Sequence, residues 1–232
     1  MNKKDLSEKD ICSKFITPNL SSSGWDSRGF QVREEVSFTD GRVIVQGQLH
    51  TRGKRKRADF ILYYKPNLPI AIIEAKDNNH NVGDGMQQAL EYADILDVPF
   101  VFTSNGDSFV FHDKTIVSGG VEKEIPLESF PSPEELWNKY LNYKGIKSDQ
   151  EKKIIEQDYY IDDPNMTPRY YQQIAINRTV EAVAKGQDKI LLVMATGTGK
   201  TYTAFNIIWR LWKSQTKKRI LFLADRNALL TQ

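Results

Sequence analysis

Residues 25–111 are dominated by apolar and polar positions that alternate with a period of two, which is typical of β-strands. Two of these alternating runs flank Asp40-Gly41, a dipeptide that favours the two-residue turn of a β-hairpin. The pattern therefore predicts a hairpin at this point. Its apolar positions are Val36, Phe38, Val43 and Val45.

Two further strands are predicted over residues 58–64 and 70–75, and a last hairpin joins residues 99–104 to residues 108–112. Apolar residues at helical spacing predict helices before, between and after these strands. Ser7 caps the first helix and Pro18 ends it. The helices predicted in this way cover residues 8–16, 86–96, 134–141 and 169–185.

The pattern changes near the end of the chain, where two short apolar runs lie on either side of a glycine-rich loop. Residues 189–194 and 219–224 are predicted strands, and the very apolar segment 201–213 is a predicted helix. Together they form one strand–helix–strand unit, which is too small for a complete parallel sheet. We expect this lobe to leave a sheet edge and the helix uncovered, and therefore to be disordered or self-associating.

The chain divides into two predicted domains. Residues 144–166 are charged, have weak periodicity and contain Asp162-Asp163-Pro164, so they are typical of a connection. The sequence therefore predicts a first domain over residues 1–143, a linker over 144–166 and a second domain over 167–232. The fold class is α/β, with a mixed sheet in the first domain and an incomplete parallel-sheet lobe in the second.

Composition excludes several classes of protein. Lys and Arg number 32 and Asp and Glu number 30, so any binding of nucleic acid must come from local basic patches. Cys12 is the single cysteine, which excludes disulfides and cysteine-rich metal sites, and the three histidines have no zinc-ligand spacing. No apolar run approaches the ~20 residues that cross a bilayer. A reducing cytoplasm is the expected location.

The glycine-rich loop has the order of parts that polyphosphate binding requires. Glycines let the backbone wrap tightly, so that amide N–H groups converge on phosphate oxygens. A lysine adds positive charge, and the following threonine hydroxyl can hold Mg²⁺ at the start of a helix. We therefore expect ATP to contact this loop. Its residues are Thr196, Gly197, Thr198, Gly199, Lys200 and Thr201.

Two carboxylates and a lysine are predicted to meet on neighbouring strands. Asp59 lies near the start of one predicted strand, and Glu74 and Lys76 lie at the end of the next, two residues apart on one face. Carboxylate oxygens suit Mg²⁺, which lowers the pKa of a bound water and stabilises charge on a phosphate. The lysine can position that water or neutralise the transition state. Five cations in residues 52–57 directly precede Asp59 and can neutralise DNA phosphates, although such a run can equally be a solvated loop.

The carboxylate–lysine pattern resembles the PD-(D/E)xK nuclease superfamily, with Ala58-Asp59 where that family has Pro-Asp. Gln88 and Tyr92, four residues apart on the predicted helix 86–96, are similar to the Gln-x-x-x-Tyr signature of its RecB-like branch. The resemblance implies a restriction-endonuclease-like fold in which both residues face DNA or the metal. It also implies that Glu8 on the first helix is an additional metal ligand.

The second domain resembles superfamily 2 helicases and translocases. Ala195–Thr201 is similar to their motif I, and residues 219–226 are similar to their motif Ia. Residues 167–172 resemble the segment that contacts adenine in that superfamily, which implies that Arg169 and Gln172 bind the nucleotide. The motif II acids and the second motor lobe do not occur in residues 1–232, so we expect this lobe, which is RecA-like and incomplete, to turn over ATP poorly by itself.

A RecB-like nuclease followed by a superfamily 2 motor resembles the R (restriction/motor) subunit of type I restriction–modification enzymes. The resemblance implies Mg²⁺-dependent cleavage of double-stranded DNA coupled to ATP-driven translocation, together with methyltransferase and specificity subunits as partners. It also implies that the chain is the front part of a longer protein. Two alternatives stay open at this point: an ATP-independent repair or junction nuclease, and a non-catalytic docking fragment.

Overall fold

The computed structural model describes residues 2–25, 29–39, 43–46, 49–52, 55–161 and 167–223, with the backbone alone for those between 43 and 52. The chain forms two compact units, Met1–Gly145 and Ile146–Gln232. The first unit contains the predicted strand region and the second contains the glycine-rich loop. Each unit has its own core, and each is described below by itself.

A six-stranded mixed sheet forms the centre of the first unit. The order of its strands is β1-β4-β5-β6-β7-β8, and every neighbouring pair is antiparallel except β5 and β6. A separate two-stranded ribbon consists of β2 and β3. The strands are β1 (Val32–Thr39), β2 (Val43–Gln46), β3 (Leu49–Arg52), β4 (Arg55–Lys65), β5 (Leu68–Ala75), β6 (Phe100–Ser104), β7 (Ser108–Asp113) and β8 (Glu122–Pro126).

The parallel pair β5 and β6 is joined by helix α3 (Met86–Leu96), whose bounds agree with the prediction. Parallel strands require such a crossover because the chain must return to the end of the sheet at which the first strand began. The helix packs on the sheet through the buried side chains of Ala89, Tyr92, Ala93 and Leu96. Its first turn therefore lies beside the end of β5, which is where the predicted carboxylate–lysine pair is located.

The predicted hairpin around Asp40-Gly41 is wrong in its pairing. Strand β1 pairs with β4, so that Thr39 is opposite Arg55, and β2 pairs with β3. Alternation shows which side chains share a face, but it does not select the partner strand. The turn residues 40–42 lie outside the described part of the chain. Strand β8 was missed because its residues are mostly polar and exposed, as is common at the edge of a sheet.

The first helical region begins as predicted but continues past Pro18. Ser7 and Asp10 form a capping box at the start of α1 (Glu8–Ile11), which is followed by a π-helical segment (Cys12–Ile16) and then α2 (Thr17–Ser22). Pro18 occupies the first turn of α2, where its missing N–H does no harm. The π-helical segment Cys12–Ile16 lies between α1 and α2, so Pro18 belongs to the start of α2 instead of ending α1.

Aromatic side chains fill the core beneath β6 and β7. Phe102 is fully buried, stacks on Phe111 with ring centroids 4.4 Å apart, and contacts Phe109 and Phe130. Helix α4 (Pro133–Lys144) is capped by Ser132 and closes another side of the sheet, where Trp137 stacks on Tyr64. The described residues of the first unit therefore contain one aromatic cluster around Phe102 and another where Trp137 stacks on Tyr64.

Three helices make up the core of the second unit: α5 (Asp149–Glu156), α6 (Tyr170–Ala184) and α7 (Lys200–Lys213). These helices and the segment after α5 share a buried cluster, which consists of Ile154, Tyr159, Ile176, Val180 and Leu211. Arg210 on α7 is also buried; it donates to Asn177 Oδ1 at 2.7 Å and to the carbonyl of Ile155. The segment predicted as a linker therefore contains a packed helix, α5, while Asp162-Asp163-Pro164 lies outside the described residues.

The strands predicted over 189–194 and 219–224 do not form in the described part of the chain, where residues 189–195 and 219–223 have no strand partner. A strand requires hydrogen bonds from a neighbour, and an apolar pattern alone does not supply one. The pattern is still visible in the exposure of the side chains. Ile190 and Leu192 are 40% and 41% exposed, whereas Leu191 and Val193 are 85% and 88% exposed.

We expect Phe102→Ala to lower the free energy of unfolding of the first unit by about 3–5 kcal/mol, because it removes a buried ring from an aromatic core. The measurement is urea unfolding, monitored by hydrogen exchange in peptides from β5, β6 and β7. Val117→Ala is the control at an exposed residue and should change the value by less than about 0.5 kcal/mol. A similar small effect of Phe102→Ala would contradict the described packing.

Candidate functional site

The structure brings Asp59, Glu74 and Lys76 together at one end of the antiparallel pair β4 and β5. Phe60 is opposite Ile73 in the register, so the chain direction places Asp59 beside Glu74. Asp59 Oδ2 also accepts a hydrogen bond of 2.8 Å from the backbone N–H of Ala75. The side chain of Asp59 is thereby held across the end of β5, between the two other residues of the predicted cluster.

Glu74 is the most buried member of the cluster, with a side chain only 4% exposed. Its Oε1 atom accepts from Lys76 Nζ at 3.2 Å and from Gln88 Nε2 at 2.5 Å. Its Oε2 atom is buried and has no hydrogen-bond partner in the protein. An ionised carboxylate is costly to bury with one oxygen unsatisfied, so this oxygen is suited to a ligand such as a cation.

Burial and neighbouring charge shift the acid–base properties of the cluster. Burial, reinforced by the nearby Asp59, raises the pKa of Glu74 from its ordinary 4.5 to about 7. Burial also raises the pKa of Asp59 and that of Glu8. Burial opposes the charge on Lys76, but Glu74 and the other acids outweigh it and raise the lysine's pKa. The site therefore places the positively charged side chain of Lys76 beside carboxyl groups whose pKa values are above their usual range.

Helix α3 supplies the predicted Gln88 and Tyr92 to this end of the sheet. Gln88 Nε2 bridges Glu74 Oε1 and the Tyr92 hydroxyl, which is 3.0 Å away. The Tyr92 ring is buried edge-on against Phe38 and contributes to the core. Gln88 therefore contacts the acidic cluster directly, whereas Tyr92 acts on it through Gln88.

Gly85 lies in the turn before α3 and was not recognised from the sequence. Its φ angle is +94°, and a Cβ there would come within 3.1 Å of Lys76 Cε and 3.2 Å of Glu74 Cγ. Only glycine accepts this backbone conformation and this close approach without strain. A glycine before a predicted helix is common, so the sequence alone did not distinguish this one.

Glu8 on α1 reaches the cluster only at its margin. Its carboxylate is 3.9 Å from Lys76 Nζ, and Lys76 also contacts Glu74. Within the described residues, no group of three or more His, Cys, Asp or Glu side chains is arranged to hold a metal ion together. The residues that fit a divalent cation are therefore Asp59 and Glu74, with the unpartnered Glu74 Oε2 as the observation that favours binding.

The basic run precedes the site along β4. Lys56 Nζ is 3.2 Å from a Glu91 carboxylate oxygen, and Arg57 is 3.8 Å from Glu35. Arg55 donates to the Ser37 hydroxyl. These cations are thus partly engaged with their own chain at the surface, and the side chains of Arg52 and Lys54 lie outside the described set.

The glycine-rich loop of the second unit turns directly into α7. Gly197 and Gly199 both have positive φ angles, +77° and +81°, which side-chain-bearing residues rarely adopt. Lys200 Nζ donates back to the carbonyls of Met194 and Ala195, at 3.4 and 3.3 Å. Thr201 is exposed in the first turn of α7. The backbone therefore has the tight wrap expected of a phosphate-binding loop.

A pocket of about 360 Å³ lies beside this loop. Gln172 lines it, accepts from the backbone N–H of Arg169 at 2.8 Å and donates to the carbonyl of Thr198 at 2.9 Å. The two segments predicted to bind nucleotide are therefore in contact with each other. The residues around the pocket are Thr167, Arg169, Tyr171, Gln172, Gly197, Thr198, Gly199 and Tyr202.

Comparison with known proteins assigns the chain to a family. Residues 31–126 match the family model described as type I restriction enzyme R protein N terminus, and residues 165–232 match that of the type III restriction enzyme res subunit. The whole chain is 56% identical to the type I restriction enzyme EcoAI endonuclease subunit of Escherichia coli. The chain belongs to the R subunit family of type I restriction enzymes.

Two more members of this family resemble the chain. The EcoKI endonuclease subunit of Escherichia coli strain K12 is 29% identical over 97% of the chain. A fragment structure described as an HsdR subunit of a type I restriction enzyme from Vibrio vulnificus YJ016 is 43% identical, with a TM-score of 0.77 over 90% of the chain. This likeness supports the mixed α/β fold described above.

The chain spans only part of these R subunits. It covers 28% of the EcoAI subunit, 23% of the EcoKI subunit and 39% of the Vibrio fragment. The activity of a complete R subunit is therefore proposed for this chain below. Among the described residues, none of the helices has the length and apolar character needed to cross a bilayer.

We expect the contribution of Glu74 to the stability of the metal-free chain to be lost as the pH rises from about 4.5 to about 7, because folding raises the pKa of Glu74 and so favours its protonated form. Glu74→Gln keeps the side-chain shape and cannot ionise. The free energy of unfolding of the variant minus that of the wild type should therefore be about 1–3 kcal/mol larger above about pH 7 than in acid. Urea unfolding at a series of pH values in a chelator measures this difference.

Glu91→Gln is the matched control, because it makes the same change at an exposed carboxylate on the neighbouring helix α3. An identical pH dependence in the wild type and in Glu74→Gln would show that Glu74 does not titrate as the structure implies.

Proposed function

We propose that Asp59, Glu74 and Lys76 form the nuclease site of an R subunit that cleaves double-stranded DNA with the help of Mg²⁺. The observation that carries the proposal is the convergence of these three side chains, with one buried oxygen of Glu74 left without a protein partner. A buried carboxylate with a free oxygen favours a cation, and Mg²⁺ prefers such hard oxygen ligands together with water.

The chemistry assigned to this site is hydrolysis of a phosphodiester. Asp59 and Glu74 are the residues that would hold Mg²⁺, which supplies Lewis-acid activation of water and of the phosphate when bound. Lys76 keeps its positive charge beside them and stabilises the negative charge that develops on the scissile phosphate. Gln88 fixes the orientation of Glu74, and Tyr92 supports Gln88 from the core.

DNA is the proposed substrate because the cations that begin β4 lie along the strand that supplies Asp59. The acids that pair with Lys56 and Arg57 in the described part of the chain are partly exposed, so phosphates can replace those partners at little cost. Such contacts position a duplex without reading its sequence. Recognition of a sequence is accordingly assigned to a separate specificity subunit.

The second unit is proposed to be the beginning of the motor that moves DNA with ATP. Lys200 and Thr201 would contact the phosphates and Mg²⁺, and Arg169 and Gln172 would contact the base. The contact between Gln172 and the loop supports one shared nucleotide site. In this proposal the complete R subunit works in the cytoplasm with methyltransferase and specificity subunits.

Titration of Mn²⁺ into the chain by calorimetry tests the metal site directly. We expect the wild type to bind and the variants Asp59→Ala and Glu74→Ala to bind at least about tenfold more weakly, because each loses one of two anionic ligands. Asp94→Ala is the matched control: it removes an exposed acid of α3 that pairs with Lys114 at the surface, and binding should be unchanged.

Equal affinity in all four proteins, or no binding in any of them, would count against the metal site. The chain would then be better described as the non-catalytic docking fragment considered from the sequence.

A second test uses the complete R subunit assembled with its partner subunits. We expect Lys76→Ala to lower the rate of DNA cleavage by about 100-fold or more while ATP-driven translocation continues, because the lysine belongs to the proposed nuclease site and not to the proposed motor. Lys200→Ala should stop ATP hydrolysis and translocation. Translocation is followed by displacement of a labelled triplex strand and cleavage by gel analysis.

Cleavage that persists when Lys200→Ala has abolished translocation would favour an ATP-independent nuclease. Full cleavage by Lys76→Ala would refute the role given to the lysine.

A further inference from the structure

Thr103 lies next to Glu74 in the sheet and has no role in the proposed reaction as described so far. In the parallel pair β5 and β6, Glu74 is the register partner of Thr103. Register partners in neighbouring strands project from the same face of the sheet. The side chain of Thr103 therefore lies on the face that carries Glu74, Lys76 and the first turn of α3.

The hydroxyl of Thr103 is fully buried and has no hydrogen-bond partner in the protein. The same is true of Glu74 Oε2, although Glu74 Oε1 has two donors. Two unsatisfied oxygens thus belong to adjacent positions on one face. Buried polar groups are rarely left unsatisfied, so a pair of them at neighbouring positions requires an explanation.

Glu74 is the natural partner for the Thr103 hydroxyl because the position on the other side is apolar. Thr103 is also the register partner of Val110 on β7, and Gly83 of the loop before α3 lies over Val110, where a Cβ would be 4.0 Å from its methyl group. Of the two register partners of Thr103, only Glu74 has a side chain that can accept a hydrogen bond. The threonine therefore joins the acidic cluster and not the core around Val110.

We propose that Thr103 is a positioning residue for Glu74: its hydroxyl donates toward Glu74 Oε2 through one bridging water. A buried water is satisfied by two to four polar partners, and these two oxygens supply them. The inference rests on the proposed nuclease site for its functional meaning, but the Thr103–Glu74 link itself can be measured without metal.

A comparison in two backgrounds tests the link in the metal-free R subunit chain at one fixed pH. Thr103→Val keeps the shape of the side chain and removes the hydroxyl. In the wild-type background it should lower the urea concentration at which β5 and β6 are half unfolded, as monitored by hydrogen exchange. In the Glu74→Ala background the hydroxyl has lost its partner, so the same substitution should leave the midpoint unchanged or raise it.

Val110→Ala is the matched control. Val110 is the other register partner of Thr103 and carries no polar group, so its substitution should shift the midpoint equally in both backgrounds. An equal shift by Thr103→Val in the two backgrounds would overturn the proposal. Glu74→Leu replaces Glu74→Ala if the smaller side chain prevents folding.

The affinity for Mn²⁺ gives a second measurement that a purely structural threonine does not affect. We expect Thr103→Val to weaken binding by about fivefold or more, as is typical for residues that orient metal ligands, and Thr103→Ser to restore most of it. Affinity unchanged in Thr103→Val would overturn the positioning role. Failure of the wild type to bind Mn²⁺ would contradict the nuclease proposal, while the urea comparison would still decide whether Thr103 and Glu74 are linked.

Discussion

Burial of the Glu74 carboxylate at the end of a central strand is the constraint around which the first unit is arranged. A carboxylate in this position is strongly destabilising unless hydrogen bonds and opposite charge compensate it. Gln88 and Lys76 supply that compensation for one oxygen. Local structure places both donors: Gln88 lies on the crossover helix α3, and Lys76 directly follows strand β5.

The crossover between two parallel strands links this compensation to the fold. The turn before α3 must pass close enough for Gln88 to reach Glu74, and Gly85 makes that approach possible. Asp59 is held by the backbone of the neighbouring strand, so its position depends on the register of β4 and β5. The cluster of Asp59, Glu74, Lys76 and Gln88 is therefore a property of the sheet's topology as much as of its individual residues.

The sequence predicted the site better than it predicted the pairing of strands. Strand alternation placed Glu74 and Lys76 on one face, whereas Gln88 and Tyr92 were joined to them by the resemblance to RecB-like nucleases. The partner of β1 was predicted incorrectly because alternation carries no information about which strand is adjacent. Residues 189–194 show the same limit: their apolar pattern is present, but a strand exists only where a second strand completes its hydrogen bonds. Gly85 and Thr103 were missed because their importance depends on neighbours that are distant in the sequence.

The buried Arg210 has a mechanical consequence for the second unit. Helix α7 starts at Lys200, directly after the glycine-rich loop, and Arg210 lies ten residues, or about 15 Å, further along it. Its guanidinium is bonded to α5 through Ile155 and to α6 through Asn177. Sliding α7 along its axis would break both bonds at once in a water-free setting. Arg210 therefore ties the three helices together, so that a displacement of α7 along its axis must either carry α5 and α6 with it or break both bonds.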